Sequence, residues 1–219
     1  MGNKLKLIYK KLYSFFGPQG WWPGETPFEV MVGAILTQNT NWANVEKAIN
    51  NLKKHKALSA RKLYKLPKAR LALLIRPAGY YNIKAGRLKN LLDFLNDNYG
   101  GNIREMARGK IDKLRLGLLS VNGIGPETAD SILLYALNKP IFVIDAYTRR
   151  IFSRHGFIPE DCDYHAAQNL FSKNLKNEVR LFNEYHALIV KLGKVFCLKN
   201  KPKCDICPLI GVNKRRFNA

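Results

Sequence analysis

The chain has 219 residues, 47% of them hydrophobic and 11% aromatic, so it can bury a core and is not a disordered tail. Its formal net charge of +21 predicts a polyanionic partner, above all nucleic acid, although a lysine-rich surface from a hot or AT-rich organism explains part of the excess. No apolar run approaches the roughly 20 residues of a membrane span, and the lysine-rich start lacks the features of a signal peptide. A cytoplasmic, nucleoid-associated protein with no membrane partner and no disulfide framework is therefore expected.

Apolar residues recur at helical spacing along most of the chain. They predict helices over residues 4–16 and 27–38 and a third helix that opens at Trp42. The tryptophan pair Trp21-Trp22 lies in the loop after the first helix, where a hydrophobic lid over the core is the plain interpretation. The polar residues 37–41 separate the second helix from the third, as amides that cap and turn the chain commonly do.

The middle of the chain is basic and helical. Residues 54–76 predict two short helices split near Ser59 and Pro67, and a turn over 77–82 precedes another helix. The basic residues of that helix are interpreted as a solvated face: Lys84, Arg87 and Lys89. A loop with a short helix over 98–109 follows.

A Gly-x-Gly turn between two helical patterns lies at the centre of the sequence, in Asn122-Gly123-Ile124-Gly125-Pro126. Glycine tolerates positive φ, and proline suits the first position of the next helix. The pattern predicts a helical hairpin over about residues 111–137, whose open N–H groups can bind a phosphate without reading sequence.

The last third of the chain is also predicted to be helical. Asp145 follows the apolar run 141–144 as the N-cap of a helix that ends near Arg154. A further helix is predicted to begin at Pro159, and a long one covers residues 183–197. The chain has no internal repeat, and the pattern predicts an all-α fold.

The hairpin followed by Asp145 resembles the helix-hairpin-helix plus Gly/Pro…Asp motif of the endonuclease III superfamily of DNA glycosylases. Three segments resemble its bacterial 3-methyladenine glycosylase III branch: GWWP at 20–23, LTQNTNW at 36–42 and RPAGYYN at 76–82. The resemblance extends from about residue 21 to residue 208. It implies a two-lobed helix-hairpin-helix DNA glycosylase fold with a C-terminal iron–sulfur loop.

The resemblance also implies the bounds of the two lobes and the residues that contact DNA and the flipped base. Residues 27–140 form a central lobe that ends in the hairpin, residues 1–26 with 141–219 form a terminal lobe, and double-stranded DNA lies in a crevice beside the middle helices. The residues that bind DNA are Asn122, Gly123, Ile124 and Gly125 at the hairpin, with Gln38, Asn39 and Tyr80 as wedges in the duplex. The pocket for the flipped base is walled by Trp21, Trp22 and Trp42.

Two carboxylates decide the chemistry that the resemblance implies. A carboxylate at Asp145 faces the sugar of the extruded nucleotide, where it stabilises positive charge at C1′ and orients or deprotonates water. Glu127 stands where bifunctional relatives have a lysine that forms a Schiff base, so a monofunctional enzyme is expected, although the helix dipole alone favours a glutamate there. Lys191 corresponds to a pocket lysine of the branch, but most lone lysines are solvated. His186, on the same helix, is interpreted as structural.

The cysteines Cys197, Cys204 and Cys207 have the tight spacing of metal ligands in a cytosolic protein. The spacing matches the first three ligands of the endonuclease III [4Fe-4S] loop, and Asn213 stands at the fourth position. Because such clusters normally have four thiolates, Cys162 is a candidate for the fourth ligand. A non-cysteine ligand, a labile cluster or zinc are the alternatives. The metal is expected to shape the lysine-rich loop 199–203 for contact with phosphates.

The sequence thus predicts a monomeric, monofunctional DNA glycosylase of base excision repair that hydrolyses the N-glycosidic bond of a flipped base. An alkylated purine such as 3-methyladenine is the expected base, because aromatic rings attract cations and damaged bases flip at low cost. One alternative is an endonuclease III-like glycosylase for oxidised pyrimidines, uracil or mismatched thymine, with or without AP lyase activity. The other is a DNA-binding relative that has lost turnover.

Overall fold

A computed structural model describes residues 1–21 and 24–212, and every regular element in these ranges is helical. The chain divides into a middle unit, Trp22–Lys139, and a terminal unit made of Met1–Trp21 and the chain from Pro140 onward. The helices of the middle unit are α2 (Pro27–Leu36), α3 (Trp42–Lys54), α4 (Ala60–Lys65), α5 (Lys68–Leu74), α6 (Tyr81–Tyr99), α7 (Ile103–Ala107), α8 (Ile111–Ser120) and α9 (Pro126–Ser131). A 3-10 turn (Arg76–Ala78) precedes α6, and a π-helical segment (Ile132–Ala136) continues α9. The terminal unit contains α1 (Gly2–Phe16), α10 (Ala146–Arg154), α11 (Tyr164–Ser172) and α12 (Val179–Val195). Measured over the described residues, each helix is too short or too polar to cross a membrane.

Helix α2 forms the centre of the middle unit. The hydroxyl of Thr26 accepts a 3.1 Å bond from the backbone N–H of Glu29, and Pro27 occupies the first turn, so the helix begins where its sequence predicts. Eight of its ten residues are buried. A helix that is apolar on all sides is surrounded on all sides, and α2 contacts α3, α6, α9 and the π-helical segment.

The terminal unit is built on α12. Its apolar face packs on α1 and α10, and the hydroxyl of Tyr185 donates a 2.9 Å bond to the carbonyl of Leu5. Helices α10 and α12 approach closely at Gly193, where an added Cβ would lie 2.3 Å from Cδ1 of Tyr147. This contact positions the first turn of α10, which carries Asp145, against α12.

Three predicted details differ from the structure. Lys84 is 1% exposed and therefore does not belong to a solvated face. Helix α11 begins at Tyr164 and not at Pro159, because the carboxylate of Asp163 accepts a 2.9 Å bond from the N–H of Ala166 and caps the helix there. Helix α12 begins one turn earlier than predicted, at Val179.

Candidate active site

The predicted hairpin is present in the middle unit, as α8, a turn over residues 121–125, and α9 with its π-helical continuation. Gly123 has φ 93°, and an added Cβ would lie 2.3 Å from Cγ of Arg87. Both the backbone conformation and the packing of Arg87 therefore require glycine at this position. The side chain of Ile124 is buried and anchors the turn, while Asn122 is exposed and its carbonyl accepts a 2.9 Å bond from the amide of Asn90.

The reasons that require glycine at position 123 do not apply at position 125. Its φ is −91°, which any residue adopts, and an added Cβ would meet no protein atom within 4 Å. Neither conformation nor packing within the described chain explains a glycine there. A residue without a Cβ does leave the backbone of the turn open to close approach. Helix α9 also begins without a side-chain cap, so its first N–H groups can receive an acceptor from outside.

A buried ion pair joins the two helices of the hairpin. The guanidinium of Arg115 on α8 donates bonds of 2.7 and 3.2 Å to the two carboxylate oxygens of Asp130 on α9. The Asp130 side chain is fully buried. The pair therefore holds the hairpin closed behind its turn.

Two loops of the middle unit carry the wedge candidates Asn39 and Tyr80. Both residues are exposed and both have positive φ, 52° and 45°, so each stands at a sharp projecting turn. Buried Lys84 ties the two loops together: its ammonium donates bonds of 2.7 Å to the carbonyl of Leu36, 2.8 Å to that of Ala78 and 2.5 Å to the hydroxyl of Thr40. The ammonium is thus the shared anchor of both loops.

Gln38 has a different setting from Asn39. Its amide nitrogen donates to the carbonyl of Gly123 at 3.0 Å and to the hydroxyl of Thr128 at 2.9 Å, and its oxygen accepts from Arg87 at 2.5 Å. These bonds direct Gln38 to the hairpin turn. Asn39 and Tyr80 are the candidates that point outward, while Gln38 holds the first loop on the hairpin.

We expect Lys84→Met to lower the free energy of unfolding by about 3 kcal/mol, because it leaves buried carbonyls without a donor. Burial, with Arg87 nearby, lowers the pKa of Lys84 to about 8. Between that value and its ordinary value of 10.5, the folded chain binds fewer protons than the unfolded chain, so this residue makes the wild type more stable as pH rises. Urea unfolding between pH 7 and pH 10 should therefore show the gap between wild type and variant widening. An exposed control, Lys62→Met, should lower the free energy of unfolding far less at pH 7. A gap for Lys84→Met that does not widen with pH would contradict the lowered pKa of Lys84.

In the terminal unit, Asp145 caps α10, as predicted. One carboxylate oxygen accepts bonds from the backbone N–H of Thr148 at 2.7 Å and from its hydroxyl at 2.8 Å, and the other lies 3.5 Å from Nε2 of His186. Burial alone would raise the pKa of Asp145, but His186 and the two bonds from Thr148 lower it below its ordinary value. The carboxylate is ionised at neutral pH, and 14% of its side chain remains exposed.

The predicted base-pocket residues fall in both units. Trp21 lies over His186 in the terminal unit, with ring centroids 6.1 Å apart, and Lys191 is exposed on α12. Trp42 is half-buried at the first position of α3, behind the Asn41 cap. Trp22 lies outside the described residues. Glu127, in the middle unit, is exposed in the first turn of α9.

The three clustered cysteines line one cavity of the terminal unit. Cys197 is buried, and Cys204 and Cys207 are half-buried. Within residues 1–21 and 24–212, no three histidine, cysteine, aspartate or glutamate side chains stand at the spacing of ligands to a single ion. Cys162 is not among the described residues that line this cavity. Asn213 lies outside the described residues.

Residues 32–177 match the family model of the HhH-GPD superfamily of base excision DNA repair proteins. The chain belongs to this superfamily. It is 53% identical over 212 residues to a Methanocaldococcus jannaschii protein that carries the provisional name of DNA repair glycosylase, which spans 94% of this chain and 96% of that protein. An endonuclease III of Thermotoga maritima is 27% identical over 185 residues, 83% of this chain and 79% of the enzyme.

Solved structures of HhH-GPD proteins share the fold. The H. pylori 3-methyladenine DNA glycosylase MagIII, bound to 1,N6-ethenoadenine, superposes with a TM-score of 0.77 and 31% identity over 87% of this chain and 97% of that one. An endonuclease III in a non-covalent complex with DNA superposes with a TM-score of 0.83 over 98% of this chain and 95% of that one. At 22% identity, that second likeness shows the fold alone.

Several residues of the site escaped the sequence-based predictions. In the sequence, nothing distinguishes Lys84 clearly from the many exposed lysines. The one sign of its burial is its position in the first turn of α6, near the apolar residues Ala85 and Leu88. The Arg115–Asp130 pair spans 15 residues across a turn, so helical spacing does not reveal it. The role of His186 beside Asp145 arises from the close approach of α10 and α12, which no local pattern encodes.

Proposed function

We propose that this HhH-GPD protein is a monofunctional DNA glycosylase that uses Asp145 to hydrolyse the N-glycosidic bond of a flipped damaged base. The arrangement of Asp145 is the observation that supports this most directly. Its carboxylate is ionised, fixed by Thr148 and His186, and still partly open to solvent. A fixed negative charge of this kind stabilises the positive charge that develops on the sugar and orients water for attack.

The absence of a lysine at Glu127 supports hydrolysis by water. A Schiff base requires an amine, and a carboxylate in the first turn of α9 cannot form one. The expected product is therefore an intact strand with an abasic site, which breaks only in alkali.

DNA binding is attributed to the hairpin turn and the basic surface. The unexplained glycine at 125, the uncapped start of α9 and a net charge of +21 all suit a phosphate backbone. Asn39 and Tyr80, which project from anchored loops, are proposed to enter the duplex and fill the space of the extruded nucleotide. Flipping costs a few kcal/mol and is cheapest for a damaged or mispaired base.

The proposed base is an alkylated purine. The 31% identity with MagIII over nearly the whole of that enzyme supports this choice. Trp21, Trp22, Trp42 and Lys191 are proposed as pocket residues, and electron-rich tryptophan faces would favour a cationic base. A cationic base also leaves readily, so the reaction needs little help from a general acid.

A second candidate is an endonuclease III-like activity on oxidised pyrimidines, uracil or mismatched thymine. The cysteine spacing favours it, as does 35% identity over 133 residues with an endonuclease III of Sulfolobus acidocaldarius, which covers 61% of this chain and 56% of that enzyme.

We also propose that the cysteine cavity holds a [4Fe-4S] cluster. The donor set fits, because three thiols line one cavity and cysteine thiolates are the usual ligands of iron–sulfur clusters. When bound, the cluster supplies a rigid covalent cross-link. Cys197 and Cys204 then fix the two ends of a segment that contains Lys199, Lys201 and Lys203, the lysines proposed to meet DNA phosphates.

The test is single-turnover cleavage of labelled duplexes that carry 3-methyladenine, 1,N6-ethenoadenine, uracil, mismatched thymine or thymine glycol, with and without hot alkali. We expect strand breaks at the alkylated purines, only after alkali, and no adduct trapped by borohydride. Glu127→Lys serves as the positive control for trapping, because it restores an amine at the hairpin. Breaks confined to uracil, thymine or thymine glycol would favour the second candidate. Breaks without alkali, with a trapped wild-type adduct, would contradict the monofunctional mechanism.

A further inference from the structure

The segment from Cys197 to Cys207, here called the cysteine loop, borders the cavity that its three cysteines line. A fourth side chain with the chemistry of a metal ligand also lines this cavity. His155 lines it together with Cys197, Cys204 and Cys207, and its exposed fraction is only 9%. The other lining residues are two cations and three apolar or ring residues, Arg154, Lys203, Phe196, Pro202 and Leu209. His155 is therefore the one side chain besides the three cysteines, among the described residues that line this cavity, of a type that commonly binds metals.

The position of His155 is fixed by the same helix that begins at Asp145. His155 is the C-cap of α10, and its backbone N–H donates a 3.1 Å bond to the carbonyl of Ile151. Two arginines of α10 then hold the start of the cysteine loop. Arg150 donates to the carbonyl of Cys197 at 2.9 Å, and Arg154 donates to its Sγ at 3.5 Å.

Cys162 has a different setting. It belongs to the turn before α11, and its carbonyl accepts a bond from Arg149. It is half-buried and does not line the cavity that contains the other three thiols. Of the two candidates for a fourth ligand, only His155 lines the cavity that contains the other three thiols.

We propose that His155 is the fourth ligand of the cluster, giving a three-cysteine, one-histidine set in place of Cys162. The inference rests on the proposed function only in that the site holds a [4Fe-4S] cluster. Histidine replaces cysteine as an iron ligand in other iron–sulfur proteins and raises the reduction potential there. Ligation at His155 would fix the C-terminal end of α10, so one helix would carry the catalytic carboxylate at one end and a cluster ligand at the other.

The experiment uses the full chain, purified without oxygen and reconstituted with iron and sulfide, and compares wild type with His155→Cys, His155→Ala and Cys162→Ser. Iron and sulfide per chain are measured, and pulsed EPR of the reduced cluster detects nitrogen bound directly to iron. Wild type labelled with ¹⁵N-histidine should show a histidine nitrogen coupling. Cys162→Ser should retain both the iron content and the coupling.

The His155 variants are expected to separate ligation from folding. His155→Cys should keep the iron content, lose the nitrogen coupling and have a lower reduction potential, because a thiolate adds negative charge. His155→Ala should lose roughly one iron in four, since one corner of the cluster lacks a ligand. Circular dichroism of both variants shows whether the helices are intact.

Three results would overturn the proposal: loss of the cluster in Cys162→Ser, a nitrogen coupling that persists in His155→Cys, or a wild-type site that takes up zinc and no cluster. None of these readouts depends on base release. If no lesion is cleaved but the histidine coupling is present, the glycosylase activity fails and the ligand assignment stands.

Discussion

Asp145→Asn is expected to reduce single-turnover base release by about 10²- to 10⁴-fold, the range for removal of a positioned catalytic charge or base. The fold should survive, because asparagine is as good an N-cap as aspartate and can accept the same bond from Thr148. Affinity for a duplex with an abasic-site analogue should change no more than about twofold, since most binding is attributed to phosphate contacts elsewhere. Quenched time courses of cleavage measure the rate of base release, and fluorescence anisotropy measures the affinity for the duplex.

The chain offers a matched control in Asp163. Its carboxylate caps α11 by accepting a 2.9 Å bond from the N–H of Ala166, and this bond is the main reason that its pKa is lowered. Asp163→Asn makes the same chemical change at a helix cap that has no proposed catalytic role. Base release should be close to that of wild type. If both variants lose activity equally, capping and not catalysis would be the shared function.

The pair of results also decides whether the protein is a DNA-binding relative without turnover. That alternative predicts no base release from any of the tested lesions in the wild type, and therefore no effect of Asp145→Asn. The geometry favours turnover, because a carboxylate that merely caps α10 does not need a buried histidine 3.5 Å from its second oxygen.

Much of the structure could be predicted from short sequence patterns, because a helix is determined largely by residues that are close together in the chain. Apolar periodicity placed α1 and α10 within two residues of their ends and α3 at its first residue, and the Gly-x-Gly-Pro turn placed the hairpin. The predicted start of α11 was wrong because two sequence signals competed. Pro159 suits the first turn of a helix, but Asp163 caps the helix, which therefore begins at Tyr164. The sequence also suggested that both glycines of the turn are needed for their tolerance of positive φ. Of the two, only Gly123 has a positive φ, and the φ of Gly125 is −91°.

The parts that sequence did not predict depend on contacts between distant segments. Lys84 is buried because three acceptors from two loops surround its ammonium, the nearest of them six residues away and the others more than forty. His155 faces the cysteines because α10 is fixed on α12 and on the loop after it. Such pairings have no period and no motif, so they become visible only when the fold is known.

Arg115→Met is expected to lower the free energy of unfolding by about 3 to 5 kcal/mol, because it leaves the buried carboxylate of Asp130 without its cation. Urea unfolding followed by circular dichroism measures the loss. Arg108→Met removes the same charge from an exposed pair with Glu105, whose arginine side chain is 77% exposed, and should cost no more than about 1 kcal/mol.

The double variant Arg115→Met/Asp130→Leu separates two explanations of that loss. If the cost comes from an uncompensated buried charge, removal of the carboxylate as well should recover a large part of it, because an apolar pair of similar volume often replaces a buried ion pair at little cost. If the cost comes from lost packing between α8 and α9, the double variant should be no more stable than Arg115→Met. Recovered stability with weakened binding to undamaged duplex DNA would show that the pair also sets the geometry of the turn at Gly123 and Gly125. In that case the ion pair serves the DNA contact through the hairpin's shape, and phosphate binding would depend on residues that never touch the phosphate.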